Sequence, residues 1–64
     1  MVNGEFIKAK RQERGLSQIE LAKLCGYDTS TICKLEKGVI EDVPLSKAVQ
    51  LAKALKVKPT DLIK

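Results

Sequence analysis

Between Gln18 and Leu35 the chain carries a spacing that few folds accommodate. Ala22 follows Gln18 by four positions, Gly26 follows Ala22 by four, and Ile32 and Leu35 come after. Leu21, Cys25 and Tyr27 fill the largely apolar positions between them. The spacing predicts two short helices crossing steeply around a tight turn. Ala22 is small, so the second helix can pass close above it. Gly26 takes up left-handed backbone without a Cβ penalty. Leu21, Cys25, Ile32 and Leu35 then share the inward faces at helical period. An ordinary hairpin in a small helical bundle is the competing reading, and the agreement of so many positions in one short stretch stands against it.

The chain has 64 residues, which suits one domain, 1–64, near the lower limit for a self-sufficient core. Apolar residues make up 44% and aromatic ones only 3%, so a globular core must be aliphatic. A net charge of +4 points to an anionic partner: nucleic acid, an acidic protein or a membrane surface. The N-terminus shows no apolar run behind a basic head, and no stretch approaches the roughly 18 apolar residues of a membrane span. The expectation is a cytoplasmic protein without membrane contact. Two cysteines and no histidine argue against a structural zinc site, which takes four such ligands. In a reducing cytosol Cys25 and Cys33 are then free thiols.

The pattern is helical throughout and predicts five helices. The first covers about 4–14 and stops at Gly15. The second, 18–25, has the clearest start. Ser17 and Glu20 make a capping box, and Leu16 and Leu21 a hydrophobic staple across it. Asp28 caps a third helix over about 29–37, ended by Gly38. Thr29, Thr31 and Ile32 are β-branched, so packing must hold this helix. A loop covers 39–43. Pro44 opens a fourth helix to about residue 55, with Leu45, Ala48, Val49, Ala52 and Leu55 as its apolar stripe. Pro59 opens a short fifth helix over about 60–63.

Taken together, these residues resemble the phage-repressor and Cro type of helix-turn-helix DNA-binding domain. The resemblance spans residues 7–63. It is carried by Arg11, Gly15-Leu16-Ser17-Gln18, Leu21-Ala22, Gly26, Ile32, Glu36, Gly38, residues 51–55 and Asp61-Leu62. It implies an all-α, compact five-helix bundle of the lambda-repressor-like fold, with the helix-turn-helix formed by helices two and three. It also implies a sequence-specific transcription regulator of double-stranded DNA, a repressor, that needs no cofactor. Arg11 and Glu36 fall at the family's positions for an ion pair joining the first helix to the third. An arginine can grip a carboxylate through two parallel hydrogen bonds. Two unrelated surface charges are the plainer alternative.

The resemblance maps base-facing positions onto Thr29, Ser30 and Lys34. Spacing agrees: with Ile32 and Leu35 inward, Thr29, Ser30, Cys33 and Lys34 point outward or sideways. Hydroxyls donate or accept, the Thr29 methyl can touch a thymine methyl, and Lys34 can donate to guanine. Helix-capping chemistry around Asp28 is an alternative use of Thr29, Ser30 and Thr31, and the two uses can coexist. The family holds a phosphate with a glutamine at the position of Gln18, where a helix N-terminus favours an anion. Lys10, Arg11, Arg14 and Lys37 are further phosphate candidates. Lys47, Lys53, Lys56 and Lys58 read as a solvated face.

Two features depart from the family pattern. Loop 39–43 is about one residue longer than usual, and Glu41 and Asp42 would repel phosphate. Asp28 adds a negative charge where serine or threonine is frequent. The family's habit of binding as dimers implies a homodimer on a two-fold symmetric operator. Val57, Leu62 and Ile63 could supply the dimer face or simply close the core. The acidic loop keeps a rival open: the same fold as an antitoxin or partner-binding module with weak or no DNA binding. Catalysis is not expected, since there is no histidine, no metal constellation and no base beside Cys33.

Overall fold

Four short helices, each too brief to be stable alone in water, hold one another in place. A computed structural model describes residues 2–40 and 42–63. Helices α1 (Gly4–Glu13), α2 (Gln18–Cys25), α3 (Thr29–Lys37) and α4 (Leu45–Leu55) are followed by a 3-10 turn, Pro59–Leu62. Glu41, half of the expected acidic pair, lies outside the described residues, and Asp42 is exposed.

Local chemistry sets the helix ends. The Asn3 side chain accepts from the Phe6 N–H at 3.2 Å, starting α1. At α2 the Ser17 hydroxyl accepts from the Glu20 N–H at 3.1 Å, and the Glu20 carboxylate accepts from the Ser17 N–H at 2.9 Å. This reciprocal box satisfies two amides that lack intrahelical partners. Gly26 closes α2 at φ 71°, ψ 24°, and its left-handed backbone turns the chain directly into α3. The capping Asp28 then accepts from the Thr31 N–H at 3.1 Å. Pro44 stands just outside α4 as its N-cap.

The expected fifth helix is instead the 3-10 turn over Pro59–Leu62, so the described residues form four α-helices. Four residues are too few to close a ladder of i to i−4 bonds. The chain then straightens. Ile63 adopts extended backbone and forms an antiparallel bridge with Val2, while the Asn3 N–H donates to the Leu62 carbonyl at 2.6 Å.

The core is aliphatic. Ile7, Leu21, Cys25, Ile32, Leu35 and Leu51 are fully buried, and Ala22, Ala52, Leu55 and Leu62 nearly so. Phe6 and Tyr27 pack only at its margin, with Leu16 and Val57. Leu62 is 1% exposed and therefore closes the core rather than offering a dimer face; Ile63, at 55%, stays outside. Among the described residues no helix is long and apolar enough to cross a membrane.

Candidate nucleic-acid interface

Helix α3 is anchored along one side by Ile32, Leu35 and Glu36, all buried. Its other side carries Ser30, Lys34 and Lys37, all exposed, with Thr29, Thr31 and Cys33 half-buried at the flanks. The three residues expected to face bases, Thr29, Ser30 and Lys34, therefore lie away from the core. The turn places α2 beside α3 through the nearly buried Ala22, whose carbonyl accepts the Gly26 and Tyr27 N–H groups.

A buried polar network ties α1, α2 and α3 together. Arg11 Nε donates to Glu36 Oε2 at 2.6 Å, and Arg11 Nη2 to Glu36 Oε1 at 3.2 Å. A third donor, Nη1, reaches the Leu16 carbonyl at 2.8 Å. Gln18 Nε2 joins the same carboxylate at 3.0 Å. The fork uses three of the five guanidinium N–H groups and both oxygens of Glu36. Arg11 and Glu36 are thus one bonded pair, and Gln18 holds α2 against it.

The remaining expected phosphate contacts sit apart from this network. Arg14 and Lys37 are exposed. Lys10 is held on the α1 surface by Glu13 at 3.2 Å, with its ammonium 5.7 Å from the centre of the Phe6 ring. Lys53, Lys56 and Lys58 are solvated.

Lys47 departs from its expected place on that solvated face. Its ammonium donates to the Cys25 carbonyl at 2.9 Å and lies 5.1 Å from the Tyr27 ring centre. A carbonyl at the end of α2 has no intrahelical partner and carries the negative end of the dipole. A lysine from α4 satisfies both. The local sequence held no signal for this contact, because its partners are 22 residues apart.

At the start of α3, Asp28 collects three donors: the Thr31 N–H, the Thr31 hydroxyl and the Ser30 hydroxyl, the last at 3.0 Å. The Thr31 and Ser30 bonds hold its carboxyl below the usual aspartate range. Ser30 and Thr31 thus have capping contacts and, for Ser30, outward exposure as well. Burial pushes the Cys25 thiol up, against a smaller opposing pull from Lys47.

A family model described as helix-turn-helix matches residues 7–62. The P22 c2 repressor, solved in complex with a synthetic operator, is 30% identical with a TM-score of 0.90, covering 100% of this chain and 96% of that one. The restriction-modification controller protein C.AhdI from Aeromonas hydrophila is 37% identical with a TM-score of 0.84, covering 94% and 89%. The biofilm regulator SinR, from Bacillus subtilis, solved in complex with DNA, is 27% identical with a TM-score of 0.85, covering 92% and 94%. No curated protein sequence matches the chain.

Proposed function

The chain belongs to the helix-turn-helix family, and from that premise we propose that it is a sequence-specific transcription regulator of double-stranded DNA, acting as a repressor. The observation that carries this reading is the match, along the whole chain, to a repressor solved on its operator. Helix α3 enters the major groove by its N-terminal end, with Thr29, Ser30 and Lys34 toward base edges. Gln18, Lys10, Arg14 and Lys37 contact phosphates, and Arg11 contributes through the guanidinium N–H groups its internal bonds leave over. Phosphate contacts set register and affinity, and base contacts set preference. The family's work is DNA binding rather than catalysis.

Residues 1–64 act as a single DNA-binding domain and work as a homodimer on a two-fold symmetric site, because one such domain offers little surface for tight binding. Half-sites then lie about one helical turn apart. Selection from random oligonucleotides by the purified protein tests the reading, since it returns a motif and its symmetry. Affinity should fall steeply with salt, as expected for about three or four phosphate contacts per subunit. A Lys34→Ala/Thr29→Ala double variant should stay folded and lose discrimination between selected and scrambled sites. Full discrimination by that variant removes the assigned reading surface. Absence of any shifted complex at low salt moves the assignment to a partner-binding module.

A further inference from the structure

Asp28 sets the chemistry of its neighbour as well as capping α3. Its Oδ2 accepts the Ser30 hydroxyl at 3.0 Å, while Oδ1 accepts the Thr31 N–H at 3.1 Å and the Thr31 hydroxyl. An ionised carboxylate only accepts, so the proton in the Ser30 bond belongs to serine. Serine has one such proton. Once it points at Asp28, the exposed Ser30 oxygen offers lone pairs alone. We infer that Ser30, oriented by Asp28, reads the major groove as a hydrogen-bond acceptor only, selecting adenine or cytosine on the contacted strand. The inference rests on α3 being the reading helix and deepens that assignment.

The reasoning follows from the groove edges. Adenine N6 and cytosine N4 carry amino donors, whereas guanine O6 and N7 and thymine O4 accept. A serine alone is indifferent, because its hydroxyl turns to suit either kind of edge. Here a turn toward a keto base breaks the bond to Asp28 and leaves a carboxylate facing an acceptor. An amino base instead adds a donor to the free lone pairs at no internal cost. Lys34, one turn along the same face, is the complement: it donates only, which suits guanine. The lowered Asp28 carboxyl, due first to Thr31 and then to Ser30, keeps the acceptor state in place.

Random-oligonucleotide selection with the wild type, Ser30→Ala and Asp28→Asn tests this. The motif position that loses its preference in Ser30→Ala is the one Ser30 reads. At that position the wild type should favour adenine or cytosine over guanine or thymine by roughly fivefold, the low end for one base mismatch. Asparagine also caps helices well. Its oxygen still takes the Thr31 N–H, its amide donates to Ser30, and the serine proton is released outward. Asp28→Asn should therefore shift the same position toward guanine or thymine, and Asp28→Ser, another good cap, should release the proton likewise. Guanine or thymine in the wild-type motif, no position responding to Ser30→Ala, or an unchanged preference in both Asp28 variants overturns the inference while DNA binding stands. Failure of the binding assignment looks different: no variant retards any duplex at low salt, and both readings fall together.

Discussion

The Lys47 ammonium of α4 donates to the carbonyl oxygen of Cys25, the last residue of α2, at 2.9 Å. The same cation lies over Tyr27, so it spans the turn whose geometry aims α3. Replacing Lys47 by methionine keeps the aliphatic stem and removes the donor. The loss is expected to be about 1–2 kcal/mol, combining a charge-assisted hydrogen bond with a helix C-terminus contact. Arginine at this position should recover most of it. Urea unfolding of both variants checks this. An unchanged midpoint for Lys47→Met means the contact contributes nothing in solution.

The Arg11–Glu36 pair predicts strong non-additivity. Arg11→Met leaves Glu36 buried with only Gln18 beside it, and should cost about 3 kcal/mol. Glu36→Leu strands the guanidinium and should cost a similar amount. The double variant replaces both charges by apolar groups and should cost clearly less than the sum. Gln18→Ala, which leaves the two-pronged pair intact, should cost less than either. A double-mutant cycle by denaturant unfolding measures the coupling, and simple additivity would mean the two charges act independently.

Gly4 tests how closely α1 crosses the end of α3. A Cβ there would collide with the Leu35 carbonyl oxygen and stand 2.9 Å from that of Glu36. Alanine ordinarily favours a helix over glycine by about 1 kcal/mol. Here the clash is with backbone and should reverse the sign, destabilising by about 2 kcal/mol or more. Thermal unfolding of Gly4→Ala decides it, since a raised melting temperature is incompatible with so close an approach.

Acid should weaken the fold through its caps. Glu20 and Asp28 are both held below their ordinary values of 4.5 and 3.8, Glu20 by its bonds to Ser17 and Asp28 by Thr31 and then Ser30. A depressed carboxylate binds fewer protons folded than unfolded. Its stabilisation is complete above the ordinary value and disappears as pH falls through the lower folded one. Unfolding midpoints should therefore be flat at neutral pH and decline below about 4.5, the ordinary Glu20 value. The variants Glu20→Gln and Asp28→Asn keep capping side chains, so each should flatten part of that decline. A double variant with an undiminished acid slope would assign it to other groups.

What was legible in the sequence divides by distance along the chain. Ser17 and Glu20, Gly26, Asp28 and Gly38 each act locally, and α2 and α3 begin and end where those residues dictate. The aliphatic stripes mark most of the core because period selects the inward face, but on α4 the expected Leu45 is exposed in the first turn, Val49 is half-buried, and Leu51, outside the expected stripe, is fully buried. Arg11 and Glu36 were reached across 25 positions through a family resemblance, not through spacing. Lys47 and Gly4 had no such signal. Each is defined by a carbonyl far along the chain, and a lysine or a glycine at those positions looks like a solvated charge or a weak helix start. The last turn differs from its expected helix for a related reason. Pro59 marks a helical start, but the pairing of Ile63 with Val2, set by the opposite end of the chain, decides where it stops.

The two cysteines differ in access: Cys25 ends α2 inside the core, and Cys33 lies on the flank of α3. Cys25 is fully buried and burial pushes its thiol up, so it should react with an aromatic disulfide reagent only when the bundle opens. Cys33 is half-buried on α3 and should react without unfolding. Two kinetic phases are expected, with the fast one absent from Cys33→Ser and the slow one accelerated by urea. If α3 lies in the groove of DNA, a selected duplex should slow the Cys33 phase. The Cys25 phase should slow only as far as bound DNA stabilises the folded state, by the amount its affinity dictates. Equal rates for Cys33 with and without a saturating duplex would place α3 away from the nucleic acid. A fast Cys25 in the intact protein would contradict the packing of α2 against α4.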